Sequence, residues 1–157
     1  MNELLSTDER AGDTEAEALK CMRTFLALYP KGSIGHFIAR SGERFTLPAT
    51  APVIERDPPQ RCFENAARRS QAFFGHLGYA EGYVYPPGLI PLHHAWNYDL
   101  SSGEVIDTTL GWKPGTAYLG VRIEERALRK HLYRTGCFGA LLEADGFTPS
   151  PFVCAAD

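Results

Sequence analysis

Cys62 is the residue of this sequence whose type and position best suit nucleophilic chemistry. A thiol becomes a strong nucleophile when it loses its proton, and the free N–H groups and positive dipole end of a helix N-terminus favour the thiolate. A proline-rich approach that ends in Pro58 and Pro59 precedes Cys62, and a helical pattern begins at or next to it. The sequence therefore predicts a reactive thiol at the start of a helix.

The other three cysteines lack this setting. Cys21 falls inside a predicted packing helix, Cys137 follows a helix C-terminus where the dipole has the wrong sign, and Cys154 is in the tail. The four cysteines form no CxxC pair, which is a poor match to a zinc site. We expect free thiols in a reducing compartment, and no metal or other cofactor.

A cysteine nucleophile needs an imidazole to take its proton and a carboxylate or amide to orient that imidazole. His94 lies in a predicted strand at residues 93–100, and Asp107 lies in the next predicted strand, at residues 104–109. Because a hairpin pairs the two strands, a His and an Asp on the same face can meet across the ladder. His93 is the competing imidazole, but its side chain points to the opposite face.

Three aromatic or β-branched segments joined by short turns predict an antiparallel meander around these residues. They are residues 79–85, 93–100 and 104–109, and a further strand is expected at 117–123. The helix that begins at Cys62 directly precedes the meander, with Phe73 and Phe74 on its buried side and Gly78 as its terminator.

Other elements complete an α+β fold, with helices packed on an antiparallel sheet. Helices are predicted at residues 14–29, ended by Pro30, and at 124–133, closed by Gly136. Short strands are predicted at residues 35–39 and 43–47, with Ser41 and Gly42 as the turn between them.

The order of the chemical segments resembles the catalytic core of the transglutaminase-like superfamily, which is itself related to papain-like peptidases. The matching segments are Arg61-Cys62-Phe63-Glu64-Asn65-Ala66, His94-Ala95-Trp96 and Val105-Ile106-Asp107-Thr108-Thr109. The chain also resembles small uncharacterised bacterial and phage proteins of this type, through the strand Tyr79-Ala80-Glu81-Gly82-Tyr83. The resemblance covers about residues 58–123 and implies one such domain at 14–157, after an acidic, flexible segment at 1–13.

The resemblance implies that Cys62 is the nucleophile, His94 the general base and acid, and Asp107 the orienting carboxylate. For the oxyanion, the backbone N–H of Cys62 is the expected donor, and the Gln60 or Asn65 side chain is a candidate for the second. Gln60 resembles the papain glutamine at a shorter spacing. The alternatives are that Gln60 is a solvent-facing loop residue and that Asn65 is a helix-surface residue.

Two further residues have open roles. Trp96 either shields the ion pair from water or fills the core, and the core is favoured. Glu81 either contacts a cationic substrate or forms a cross-strand charge pair. The sequence lacks the Gly-x-x-Trp that precedes the cysteine in the larger families, and their Gly-Ile-Pro appears only as Gly78-Tyr79-Ala80. The substrate type is therefore not carried over.

Composition excludes several functional classes. The net charge of -3 argues against a nucleic-acid surface, and 44% hydrophobic with 22% charged residues is ordinary for a globular domain. No apolar run approaches the roughly 18 residues of a membrane span. Acidic residues stand where a signal peptide would be basic and apolar, so we expect a cytoplasmic protein with no membrane partner.

These features predict acyl transfer from an amide through a covalent acyl-enzyme. Resolution by water makes a peptidase, amidase or deamidase acting on a protein, a peptide or a small amide, whereas resolution by an amine makes a transglutaminase. Hydrolysis is favoured because water is always present and no amine-binding feature is visible. A non-catalytic interaction module on the same scaffold is the second class. A metal site of Cys62, His94 and Asp107 is the third, with His93 as a candidate further ligand. Adjacent strand residues point apart, however, so a fourth ligand is missing.

Overall fold

An antiparallel sheet of five strands lies at the centre of the computed structural model, which describes residues 7–144 and the side chains of residues 14–142. Its spatial order is β1 (Glu43–Phe45), β5 (Ala117–Ile123), β2 (Leu77–Tyr85), β3 (Leu92–Asp99) and β4 (Val105–Ile106). The described helices are α1 (Thr7–Ala27), α2 (Ile34–Ser41), α3 (Cys62–Ala72), α4 (Glu125–Thr135) and α5 (Leu141–Ala144). The fold is α+β, as the sequence predicts.

The two faces of the sheet bury different side chains, because alternate residues of a strand point to opposite sides. One face, here called the aromatic face, buries a cluster made of Phe45, Ala80, Val84, Trp96, Tyr98, Val105 and Tyr118. The opposite face, here called the helical face, carries the helices. Ala66 and Ala67 of α3 pack there against Tyr79 and Ala95. Residues of α1 and α2 pack on the same face against β5.

The meander and the last long helix match the predictions closely. β2, β3 and β4 are consecutive neighbours, and β5 returns to pair with β2. The strand predicted at 117–123 is confirmed, and the helix predicted at 124–133 is observed as α4. Gly136 ends this helix in the left-handed conformation, with φ of 66°, which glycine adopts without steric cost.

The strand predicted at residues 35–39 is wrong, because these residues belong to α2. Ser33 caps this helix by accepting a hydrogen bond from the N–H of His36 at 3.2 Å. The following strand is confirmed as β1. Gly35 allows α2 to pack closely on the preceding chain, since a Cβ at this position would lie 2.2 Å from the Tyr29 ring.

Two element ends also differ from the predictions. α3 ends at Ala72, and Phe73 and Phe74 are 50% and 62% exposed rather than buried. The predicted strand at 104–109 is paired only over Val105–Ile106.

The N-terminal helix is longer than predicted, since α1 begins at Thr7. Residues 1–6 of the predicted flexible segment lie outside the described residues, as does Cys154. Within residues 7–144, none of the helices is both long and apolar enough to cross a membrane.

Candidate functional site

Cys62 is the first residue of α3 and is half-buried. The first turn closes on the residue before it, through a hydrogen bond from the N–H of Asn65 to the Arg61 carbonyl at 2.8 Å. Gln60 has a positive φ of 64°, an uncommon conformation for a residue other than glycine. The chain therefore makes a sharp bend just before α3, and this bend sets the direction in which Cys62 enters the helix.

The thiol lies against the part of β3 that β4 leaves unpaired. β4 pairs only with Asn97 and Tyr98, and the N–H of Ala95, further along the same edge, hydrogen-bonds to Cys62. The Phe63 ring lies 5.3 Å from the His93 ring, which also brings the start of α3 to the start of β3. Because β4 is so short, the edge of β3 next to His94 is free to contact the thiol.

His94 points from β3 to the aromatic face and is 5% exposed. Its Nε2 lies 2.8 Å from Oδ2 of Asp107, and the ring also hydrogen-bonds with the Cys62 thiol. Since Asp107 occupies Nε2, Nδ1 is the nitrogen left for the thiol. The Trp96 indole stacks on the imidazole at 6.4 Å with an interplanar angle of 18°.

Asp107 is the first residue after β4 and has donors on both of its oxygens. Oδ1 accepts hydrogen bonds from the N–H groups of Thr109 and Leu110, each at 2.9 Å. Oδ2 accepts from His94 and from the Tyr118 hydroxyl, the latter at 2.9 Å. Burial raises the pKa of Asp107, but these hydrogen bonds and the charge of His94 outweigh it, so the pKa lies below its ordinary value. The buried carboxylate is therefore ionised.

The neighbouring groups shift the proton affinities of Cys62 and His94 in opposite directions. Burial raises the pKa of the Cys62 thiol, but the hydrogen bond and charge of His94, with the N–H groups of Ala95 and Phe63, lower it below its ordinary value. Burial lowers the pKa of His94, whereas Asp107 and Cys62 raise it, to about 9. These shifts favour a thiolate beside an imidazolium near neutral pH.

The approach to Cys62 is fastened to the turn that carries Asp107. Nδ2 of Asn65 donates to the Pro58 carbonyl at 2.8 Å and to Oγ1 of Thr109 at 2.9 Å. These bonds join three pieces of chain that are distant in sequence: the proline-rich approach, the first turn of α3 and the turn after β4. They therefore hold the start of α3, with Cys62, next to the turn that carries Asp107.

A charged cluster adds to this connection. The Asp57 carboxylate accepts from Arg69 of α3 and from the Thr108 hydroxyl, both at 2.5 Å. Arg56 donates to the carbonyls of Thr108 and Thr109 at 3.1 and 2.7 Å. The partly exposed ion pair of Arg69 with Asp57 therefore connects α3 to the approach that precedes it, and Thr108 connects that approach to the turn after β4.

The remaining predicted site residues have varied positions. Gln60 is exposed, two residues before Cys62. Asn65 is buried and donates both of its amide hydrogens within the protein, so this amide is not presented to an oxyanion. Trp96 is 1% exposed and packs between Phe45 and Tyr118, and it therefore fills the core as well as covering His94.

Glu81 is completely buried on the helical face, which does not fit the predicted contact with a cationic substrate. It accepts hydrogen bonds from the Tyr79 hydroxyl at 2.7 Å and from the N–H groups of Leu141 and Leu142 at 2.7 and 3.1 Å. Glu81 thus connects the sheet to α5.

His93 points to the face opposite His94, where its ring stacks on Tyr83 at 5.4 Å. This position agrees with the strand alternation that the sequence predicts. In the part of the chain that the structure describes, no group of three or more His, Cys, Asp or Glu residues is arranged to hold a metal ion.

Sequence reasoning missed Tyr118, Asp57 and Arg69. Tyr118 belongs to β5, and nothing in the sequence indicates that β5 returns to pair with β2. Asp57 lies within the proline-rich approach to Cys62, directly before Pro58. A charged residue in such a stretch, twelve positions before an arginine on the helix, was the available signal for the ion pair.

Comparisons of the chain with protein-family models, curated proteins and solved structures found no match. The chemistry of the site therefore has to follow from its own residues.

Proposed function

We propose that this protein is a thiol-dependent acyl-transfer enzyme that hydrolyses an amide or peptide bond, with Cys62 as nucleophile, His94 as general base and acid, and Asp107 as orienting carboxylate. The observation that carries the proposal is a chain of two contacts. The thiol hydrogen-bonds to the imidazole, and the imidazole hydrogen-bonds to a buried carboxylate whose two oxygens both have donors. The order of the three residues along the chain, and the transglutaminase-like or papain-like core that this order resembles, support the same proposal.

The chemistry follows from two proton transfers through His94, the first to the leaving amine and the second from water. The Cys62 thiolate attacks the amide carbonyl, and the backbone N–H of Cys62 donates to the oxygen as it becomes negative. The His94 imidazolium then gives its proton to the leaving amine while the C–N bond breaks, which leaves a thioester on Cys62. Neutral His94 next takes a proton from water, whose oxygen attacks the thioester carbonyl. The C–S bond then breaks, which releases the acid and restores the Cys62 thiolate beside the His94 imidazolium.

Asp107 keeps the imidazole in the orientation that both steps require. Its hydrogen bond holds the Nε2 proton, so Nδ1 exchanges its proton with the thiol and with the leaving group. Trp96 covers one side of the ring and keeps water from the His94–Asp107 contact.

Selective alkylation tests the nucleophile. Full-length protein treated with iodoacetamide at pH 6 should be modified at Cys62 roughly 100-fold faster than at Cys21 or Cys137, because thiolate is the reactive form and an ordinary thiol is almost entirely protonated at this pH. Both comparison residues are more exposed than Cys62, so access alone would give the opposite order. Peptide mass mapping at several times gives the three rates.

The control is the pair Cys62→Ala and Cys21→Ala, incubated with a cell extract under the same conditions. A thioester adduct or a cleaved partner should form with the Cys21→Ala variant and be absent with Cys62→Ala. Equal alkylation of the three thiols, with no thiol-dependent product in the extract, would overturn the proposed function.

A further inference from the structure

The Tyr118 hydroxyl and the His94 imidazole share one oxygen of Asp107. Both donate to Oδ2, at 2.9 and 2.8 Å, while Oδ1 is held by the backbone of the following turn. Tyr118 comes from β5, which is separated from β3 by β2. Its ring therefore crosses the aromatic face to reach a carboxylate that follows β4.

We propose that Tyr118 is a positioning residue of this site, which holds Oδ2 of Asp107 toward His94 and limits how tightly His94 keeps its proton. The inference rests on the proposed function, because it concerns the proton that His94 gives to the leaving group.

The packing of Tyr118 suits a fixed donor. The side chain is completely buried, and its ring meets Trp96 edge to face at 5.1 Å. Burial and the charge of Asp107 raise the pKa of Tyr118 well above its ordinary value. The phenol therefore stays a neutral donor across the pH range in which His94 titrates.

The direction of the effect follows from competition at Oδ2. The Asp107 carboxylate is more negative when His94 is neutral than when the imidazolium draws charge from it, so the phenol hydrogen bond is stronger beside neutral His94. Tyr118 accordingly favours loss of the His94 proton. The other titratable or charged groups in this network are Cys62 from α3 and Arg56 from the approach to α3, which acts on Tyr118.

The experiment follows the ring nitrogens of His94 by NMR in full-length protein labelled with ¹⁵N-histidine, as a function of pH. Tyr118→Phe keeps the ring and removes the hydroxyl, and we expect it to raise the midpoint at which His94 loses its proton by roughly half a pH unit. Tyr79→Phe is the matched control, because it removes a buried hydroxyl from the other carboxylate, Glu81. It should leave the His94 midpoint unchanged.

A second variant tests the sign. Fluorotyrosine at position 118 is a stronger donor of the same shape, and it should lower the midpoint. General damage to the site would instead lower the midpoint in Tyr118→Phe, because the imidazole would lose the support of Asp107. The inference is overturned if Tyr118→Phe leaves the His94 midpoint unchanged or lowers it. Should Tyr118→Phe not fold, an unchanged midpoint with fluorotyrosine overturns it instead. Alkylation of Cys62 at pH 6 is measured on the same samples, and its failure would count against the proposed function instead.

Discussion

Two buried carboxylates, on opposite faces of the sheet, have similar hydrogen-bond donors. Asp107 accepts from the Tyr118 hydroxyl and from two successive backbone N–H groups. Glu81 accepts from the Tyr79 hydroxyl and from the successive N–H groups of Leu141 and Leu142. The difference is that Asp107 also holds His94, whose ring reaches the Cys62 thiol.

This difference separates a carboxylate that only stabilises the fold from one that can also take part in chemistry. Burial of a carboxylate is costly unless donors compensate it, and both sites supply such donors. At Glu81 the two backbone donors come from α5 and connect this helix to the sheet. At Asp107 they fix a group whose charge acts on a neighbouring imidazole and, through it, on a thiol.

The largest effect is expected from removing the imidazole that connects Asp107 to Cys62. At pH 6.5, His94→Gln should lower the rate of Cys62 alkylation roughly 100-fold, because the thiol loses the hydrogen bond and the charge that lower its pKa, and an ordinary thiol is almost entirely protonated at this pH. In the wild type the rate should stay level from the lowered pKa of Cys62 up to about pH 9, where His94 loses its proton. A rate measured at half-unit steps from pH 5 to 10 gives this profile.

The titration of His94 also predicts how the free energy of unfolding depends on pH. The pKa of His94 is raised to about 9 in the folded protein, so the stabilisation that its proton provides is complete below about pH 6.5 and is lost as the pH rises through 9.

Cys21 serves as the internal control for the alkylation profile. A wild-type profile for Cys62 that rises with pH in parallel with Cys21 would contradict the imidazolium–thiolate pair.

A smaller effect is expected from the carboxylates themselves. Asp107→Asn should lower Cys62 alkylation at pH 6.5 by roughly tenfold, because the imidazolium loses its charged partner. Glu81→Gln should leave that rate unchanged while it lowers the free energy of unfolding by about 1–3 kcal/mol, because an amide nitrogen would face a buried donor where a carboxyl oxygen now accepts. Urea unfolding and alkylation of the same samples separate the two effects.

The two substitutions control for each other, since each exchanges a buried carboxylate for an amide of the same shape. A comparable stability loss in both variants, with slow alkylation in Asp107→Asn alone, would sharpen the contrast between the two sites. Slow alkylation in the folded fraction of both variants would contradict this contrast. It would indicate that Glu81 also acts on the thiol, through Tyr79, because Cys62 is one of the groups that raise the pKa of Tyr79.

Local patterns predicted the central strands well and several element ends poorly. The alternation and flanking turns of 93–100 correspond closely to β3, and Gly136 marked the end of α4. The helical pattern continued through Phe73 and Phe74, but the chain leaves the helix there to begin β2. Residues 35–39 are too few to distinguish the period of a helix from that of a strand. In the structure they are helical, and Ser33 caps the helix.

The same limit applies to the site. The sequence brought Cys62, His94 and Asp107 into one hypothesis, because a helix start and a hairpin are local features, and the structure places the three side chains together. Tyr118 and the burial of Glu81 depend on which strand β5 joins and on where α5 docks. Such long-range pairings leave no signature in a single segment.

The smallest effect is expected from the amide that connects the two halves of the site. Asn65→Ala removes the bonds to Pro58 and Thr109, and Asn97→Ala is its matched control, because Asn97 likewise donates twice, to the Ala66 and Gly78 carbonyls at 2.9 and 3.0 Å. Each variant should lose about 1–3 kcal/mol of unfolding free energy. Asn65→Ala should also slow Cys62 alkylation by about threefold, since a small displacement of the thiol from His94 weakens their hydrogen bond.

Asn97 connects the middle of α3 to the sheet, so its loss should reduce stability without changing the alkylation rate of the folded protein. Equal rates in the two variants would mean that the position of Cys62 relative to Asp107 is set elsewhere, with the Asp57–Arg69 ion pair as the next contact to remove. A slower rate in Asn65→Ala alone would show that the hydrogen bonds of Asn65 to Pro58 and Thr109 help to hold the Cys62 thiol beside His94, in addition to stabilising the fold.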